Sequence, residues 1–86
     1  MKTLIAFFYL LNGNLVSYTV SEYGAFQKEE HVEASLTCQQ LADRVGHDEK
    51  VRQGLHEGES MRAECYRTDD MMKLGDPTYT VTVTRK

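Results

Sequence analysis

The chain has 86 residues, which is enough for one domain with a single small core. Apolar residues make up 41% of it, and the longest apolar run, Leu4 to Leu11, is far shorter than the roughly 18 residues of a membrane-spanning helix. The formal charge of −3 argues against nonspecific binding to nucleic acid, which depends on Lys and Arg neutralising phosphates. These values favour an ordinary soluble domain covering residues 1–86.

The opening segment, MKTLIAFFYLLNGNLVSYTV, has two interpretations. Lys2 followed by an apolar stretch is typical of an export signal that is later removed. The alternative is a β-hairpin, because Asn12-Gly13 suits a turn with positive φ at both central residues, and apolar and polar residues alternate from Val16 to Ser21. We favour the hairpin, since removal of the segment would strip the chain of its densest apolar run.

The predicted first strand is apolar on both faces. One face would carry Leu4, Ala6, Phe8 and Leu10, and the other would carry Ile5, Phe7, Tyr9 and Leu11. Because one helical layer covers only one face of a sheet, we expect a second copy or a partner protein to cover the other. A later loop adds two methionines, which adapt well to binding surfaces. The uncovered face is either that of Ile5, Phe7, Tyr9 and Leu11 or the opposite one. The candidate interaction residues are the first set together with the two methionines: Ile5, Phe7, Tyr9, Leu11, Met71 and Met72.

The segment from Glu22 to Ala34 predicts either a short third strand containing Phe26 and Val32 or a polar loop across the sheet edge. Its four glutamates against one lysine are typical of a solvated acidic edge. A surface that meets a basic groove is the functional alternative.

Two helices are predicted in the middle of the chain. Ser35 suits the N-cap of the first, whose apolar residues recur at helical spacing, and Gly46 would end it. Asp48 would cap a second, shorter helix that ends at Gly54 or Gly58. A single kinked helix through Gly46 is the alternative.

The last third of the chain predicts two strands. Apolar and polar residues alternate from Met61 to Tyr66, and TYTVTVT places Tyr79, Val81 and Val83 on one face. The order β-β-(β)-α-(α)-β-β predicts an α+β domain with a mostly antiparallel sheet and helix packed on one face.

The two cysteines, Cys38 and Cys65, both fall on faces predicted to point into the core. A disulfide between them would suit an exported protein, whereas buried free thiols suit a cytoplasmic one, which we favour. A zinc site remains a minor alternative, because cysteine and histidine satisfy tetrahedral zinc. Its residues would be spaced nine apart, unlike the close pairs of structural zinc sites: Cys38, His47, His56 and Cys65.

Motifs of enzymatic chemistry are not recognisable in the sequence. Its glycines are isolated, so they form no phosphate-binding loop, and no serine lies in a nucleophile elbow. Asp69-Asp70 is best interpreted as a solvated turn rather than a general-acid or metal site. We therefore expect no catalytic residue and no cofactor.

Three stretches, IAFFYLLNGNLVSYTV, SLTCQQLA and AECY, together resemble a set of small phage and prophage accessory proteins. That group shares a strand-turn-strand opening, a cysteine-bearing helix and an Ala-x-Cys strand. The present chain departs from it by the insertion VGHDEKVRQGLHEGES and by its final strand. Since the group has no assigned activity, the resemblance implies only an accessory protein that modulates a host protein by direct contact.

We therefore predict a non-enzymatic, cytoplasmic interaction protein that forms a homodimer and binds a protein partner. An exported, disulfide-linked domain is the second interpretation, and a zinc-stapled regulator is the third. Direct DNA binding ranks fourth, because acidic neighbours cancel the basic residues Lys50, Arg52, Arg62 and Arg67.

Overall fold

The computed structural model describes residues 1–70 and 72–85, and within them the chain forms an antiparallel four-stranded sheet of order β2-β1-β3-β4. The helices α1, α2 and α3 lie between β2 and β3 in the chain. The elements are β1 (Lys2–Leu11), β2 (Asn14–Glu22), α1 (Tyr23–Glu29), α2 (Cys38–Gly46), α3 (Glu49–Gln53), β3 (Glu59–Thr68) and β4 (Tyr79–Thr84). The predicted α+β fold is thus confirmed. No helix within the described ranges is long and apolar enough to cross a membrane.

The opening segment forms the predicted hairpin. Asn12 and Gly13 have φ of 51° and 82°, the left-handed values that a tight turn of this kind requires. β1 lies at the centre of the sheet and pairs with β2 on one side and β3 on the other. The register with β2 shifts between Tyr9 and Leu10, which places a β-bulge near the turn.

The predicted third strand is wrong. Residues Tyr23–Glu29 form helix α1, with the buried Tyr23 and the half-buried Phe26 three positions apart on one side. Glu22 precedes this helix without a side-chain cap, so tertiary contacts hold it instead. The Tyr23 hydroxyl donates to the carbonyl of Leu36 at 2.6 Å, and the Gln27 amide donates to the same carbonyl at 3.1 Å.

Helix α2 begins two residues later than predicted. Its N-cap is Thr37 rather than Ser35, because Thr37 and Gln40 form a capping box in which each side chain accepts from the other's backbone N–H. Gly46 is the last residue of α2, with His47 as C-cap. The predicted cap of α3 is confirmed, since the Asp48 side chain accepts from Lys50 N.

The main core lies between the helices and one face of the sheet. A disulfide crosses it, and its fully or nearly buried members are Ile5, Tyr23, Cys38, Leu41, Ala42, Ala63 and Cys65. Gly46 lets α2 approach β4 closely, because a Cβ there would lie 2.5 Å from Val81 Cγ1. The helical layer therefore covers β1, β3 and β4 more completely than the edge strand β2, most of which is exposed.

A smaller cluster lies on the opposite face. Leu4, Ala6 and Tyr66 are buried there, and Leu74, from the loop between β3 and β4, packs against them. The helices thus lie on the face of Ile5, which holds the candidate interaction residues of β1, and the chain itself also covers part of the opposite face. This cover comes from a large aromatic side chain and from a loop that folds back onto the sheet.

Candidate functional site

The candidate interaction residues lie in different environments, some buried and some exposed. Ile5 is only 1% exposed, because it packs in the main core, so it is not accessible to a partner. Phe7 and Tyr9 line an open groove on the helical side of the sheet. Leu11 is exposed at the end of the hairpin, and Met72 is 90% exposed in the loop before β4. Met71 lies outside the described residues.

The groove runs between α1 on one side and α2 with α3 on the other, over the strands β1, β2 and β3. Its volume is about 610 Å³, which is within the range of about 300–1,000 Å³ found for ligand-binding clefts. Large apolar side chains form most of its surface: Phe7, Tyr9, Phe26, Val45, Val51, Leu55 and Met61. The groove is therefore an apolar surface that the chain leaves open to solvent.

Short-range contacts hold the two walls of the groove. The Phe26 ring of α1 packs against Phe7 of β1, with ring centroids 5.6 Å apart. On the other side, Arg52 of α3 donates to the carbonyl of Gly46 at 3.1 Å and forms an ion pair of 2.9 Å with Glu49. These contacts tie α3 to the end of α2, so this five-residue helix presents Val51 to the groove and the segment after it presents Leu55.

The rim of the groove is charged. Glu29 and Glu30 stand on the α1 side, and Lys50 stands on the α3 side. All three are exposed, and none of them takes part in the ion pairs found within residues 1–70 and 72–85. An apolar floor with an acidic wall can attract a cationic group that is attached to an apolar body.

Sequence reasoning found only part of this site. Phe7 and Tyr9 were named, and Val51 and Leu55 could be recognised as one side of the second predicted helix from their i, i+4 spacing. Phe26 was missed because it was assigned to a strand or loop. Val45 and Met61 lie in the apolar patterns of the first predicted helix and of the strand from Met61 to Tyr66, and no sequence signal shows that they border an opening.

The expected free thiols are contradicted by a disulfide between Cys38 and Cys65, whose Cα atoms are 6.1 Å apart. The bond joins the first residue of α2 to β3, because the helix lies directly over that strand. The four residues of the zinc alternative form no metal-binding group among the described residues, since the sulfurs of Cys38 and Cys65 bind each other. His47 contacts the Asp43 carbonyl at 2.8 Å, and His56 lies 3.9 Å from a Glu59 oxygen.

A polar network lies on the opposite face of the sheet. The buried Glu64 carboxylate accepts from the Tyr66 hydroxyl and forms an ion pair of 2.9 Å with Arg62. The Arg62 guanidinium also lies 5.0 Å from the centre of the Phe8 ring, at cation–π distance. Burial, followed by the hydrogen bond to Glu64, raises the pKa of Tyr66 to about 12, so this phenol stays protonated at neutral pH.

The chain was compared with family models, curated proteins and solved structures, and it matches none of them. The resemblance to phage accessory proteins therefore stays an expectation based on the sequence.

Proposed function

We propose that this chain is a non-enzymatic binding module whose open groove accepts an apolar segment of a partner protein. The observation that carries the proposal is the groove itself, where seven large apolar side chains from β1, β3 and the helices border a space of about 610 Å³. Among these side chains Tyr9 is exposed, Met61 is buried and the other five are half-buried, so a partner segment would complete the burial of a partly covered apolar floor.

The charges on the rim specify the chemistry of the partner segment. The acidic wall, Glu29 and Glu30, faces a single cation, Lys50, so the groove has a net negative rim. The segment that fits best has large aliphatic or aromatic side chains next to Lys or Arg. These cations would meet two carboxylates that have no ion pair within the described part of the chain.

The polar residues that line the groove suit recognition of a partner. Among those described, they are Tyr9, Thr19, Ser21, Glu29, Glu30 and Lys50. The charged ones are exposed at the rim, where they can pair with charges of a partner segment. From the resemblance in the sequence we also propose that the partner is a protein of the host of a phage or prophage. The homodimer remains part of the proposal.

The test uses two synthetic peptides with the same leucine- and phenylalanine-rich centre, one flanked by lysines and the other by glutamates. Each is titrated into isotope-labelled protein at low salt, and amide shifts are followed by NMR. We expect the lysine-flanked peptide to bind more tightly and to shift residues of the groove. Equal affinities, or shifts that avoid the groove, would contradict the proposal.

A pair of charge variants locates the binding. Glu29→Lys/Glu30→Lys reverses the acidic wall, while Glu33→Lys/Glu57→Lys makes the same change in charge at exposed sites that do not line the groove. The loss of two exposed charge contacts, at about 0.5–1 kcal/mol each, would weaken binding of the lysine-flanked peptide about 5- to 30-fold. The control pair should change it much less.

The disulfide favours a second candidate, an exported domain in an oxidising compartment, because cytosolic thiols are usually kept reduced. Against cleavage of the opening segment stands the position of β1, which pairs on both sides within the sheet. Cell fractionation, followed by intact mass, separates the two. A chain that retains β1 in the cytoplasmic fraction would support the cytoplasmic location that we propose. The same chain in an exported fraction would support the second candidate, and a chain lacking β1 would contradict the fold.

A further inference from the structure

Strand β2 is an exposed edge of the sheet. It pairs with β1 alone, and nine consecutive residues of the hairpin, from Leu11 to Thr19, are exposed. In an antiparallel pair, alternate residues direct their backbone N–H and C=O groups away from the neighbouring strand. The outer side of β2 therefore offers a row of hydrogen-bonding groups to another strand.

This edge lacks the features by which proteins usually prevent edge-to-edge pairing. From Asn14 to Ser21 there is no charged residue and no proline, and the first charge, Glu22, lies 3.8 Å from Lys2 of its own chain. The one such feature is the bulge, in which Val16 is the extra residue of β2 between Leu15 and Ser17, and it lies at the end next to the turn. Residues 17–22 are therefore a regular, uncharged edge apart from the final glutamate.

The pattern of β2 is complementary to itself. On one face it carries Ser17, Thr19 and Ser21, and on the other it carries Tyr18 and Val20. A two-fold axis at Thr19 places Ser17 opposite Ser21 of the second copy and Tyr18 opposite Val20. Hydroxyl pairs and aromatic–β-branched pairs are favourable across antiparallel strands.

Charge is compatible with the same register. Glu22 would lie next to the bulged Val16 of the second copy, beyond the regular pairs of residues 17–21, so the only charge on the strand does not meet its own image. Tyr18 and Val16 are 60% and 66% exposed in the single chain, and pairing would cover part of both. A second copy thus satisfies the backbone edge, the side-chain pairs and the electrostatics together.

We propose that two copies of this chain pair through β2, antiparallel and centred on Thr19, so that their sheets become continuous. This surface differs from the apolar face of β1 from which the sequence predicted a homodimer. The inference does not depend on which segment occupies the groove, because it rests on the outer edge of β2.

The test places opposite charges at the proposed axis. Thr19→Lys and Thr19→Glu each bring like charges together in a homodimer, and both should be monomeric by sedimentation over concentrations at which the wild type is dimeric. Mixed in equal amounts, they should form a heterodimer, because a lysine then faces a glutamate. We expect each single variant to raise the dissociation constant at least about tenfold.

Thr82→Lys on the opposite edge strand β4 is the matched control and should leave the dimer intact; circular dichroism checks the fold of every variant. A wild type that stays monomeric would overturn the proposal. If this monomer bound a synthetic β2 peptide, the edge would be assigned to a strand of another protein. Dissociation by Thr82→Lys as well, or failure of the mixed variants to associate, would also overturn it.

Discussion

Reduction of the Cys38–Cys65 disulfide should destabilise the protein strongly. The bond closes a loop with a sequence separation of 27, which contains α2 and α3. In the chain-entropy description, freeing a loop of 27 residues adds about 12 cal/mol/K to the entropy of the unfolded state. At 25 °C this corresponds to about 3.5 kcal/mol, a large part of the 5–15 kcal/mol that typically stabilises a domain.

The assay is urea unfolding of the same protein with and without a phosphine reductant. Far-UV circular dichroism is the suitable signal, because the chain contains no tryptophan. With a slope of about 1–2 kcal/mol per M urea for a small domain, the midpoint should fall by about 2–3 M on reduction. Intact mass after alkylation checks that both cysteines have been reduced.

The variant Cys38→Ala/Cys65→Ala is the control for effects of the reductant itself, and its midpoint should not respond to the phosphine. A loss of less than about 1 kcal/mol in the wild type would refute the entropic argument, because the 27-residue separation alone requires more. Purified protein with two free thiols before any reductant is added would refute the assignment of the bond.

Three further predictions concern stability. Gly46→Ala should cost about 1–3 kcal/mol of unfolding free energy, since its Cβ would lie 2.5 Å from Val81 Cγ1, and a double-mutant cycle should show this cost disappearing with Val81→Ala. Thr37→Ala should cost about 1 kcal/mol through loss of the capping box, while Thr37→Ser should retain most of it in the same urea assay. The pKa of Tyr66 is raised to about 12 in the folded state from 10.0, so the stability that its protonated phenol contributes is complete below pH 10 and is lost as the pH rises from 10 to 12. Melting temperatures in that interval should fall less for Tyr66→Phe than for the wild type, and an equal fall would contradict the assignment.

The elements that could be predicted from the sequence are those with a strong local signal. Asn12-Gly13 specifies a turn by backbone sterics alone, and the alternation of TYTVTVT specifies a half-buried strand. Helix α1 has no comparable signal, because it is short, lacks a side-chain cap and depends on bonds from Tyr23 and Gln27 to a carbonyl nine or more residues away. Its formation is decided by tertiary contacts.

For a related reason the groove could not be predicted, and the sequence left the disulfide as one of two alternatives. Both depend on how α2 lies over the sheet, which no sequence spacing encodes. The sequence identifies Phe7 and Tyr9 as apolar residues of one face, but Ile5 belongs to the same face and is fully covered. Which members of the face remain open depends on where α1 and α3 end.

The central position of β1 has a consequence for how the protein is made. β1 and β2 leave the ribosome before β3 and can pair at once, but the second neighbour of β1 begins only at Glu59. Until β3 has been synthesised, the new hairpin presents an unpaired edge and the apolar faces of Leu4–Leu11 to the cell. Pairing across so long a separation is slow, and exposed strand edges favour aggregation. We therefore expect nascent chains of this protein to require chaperone protection until most of their length has been translated.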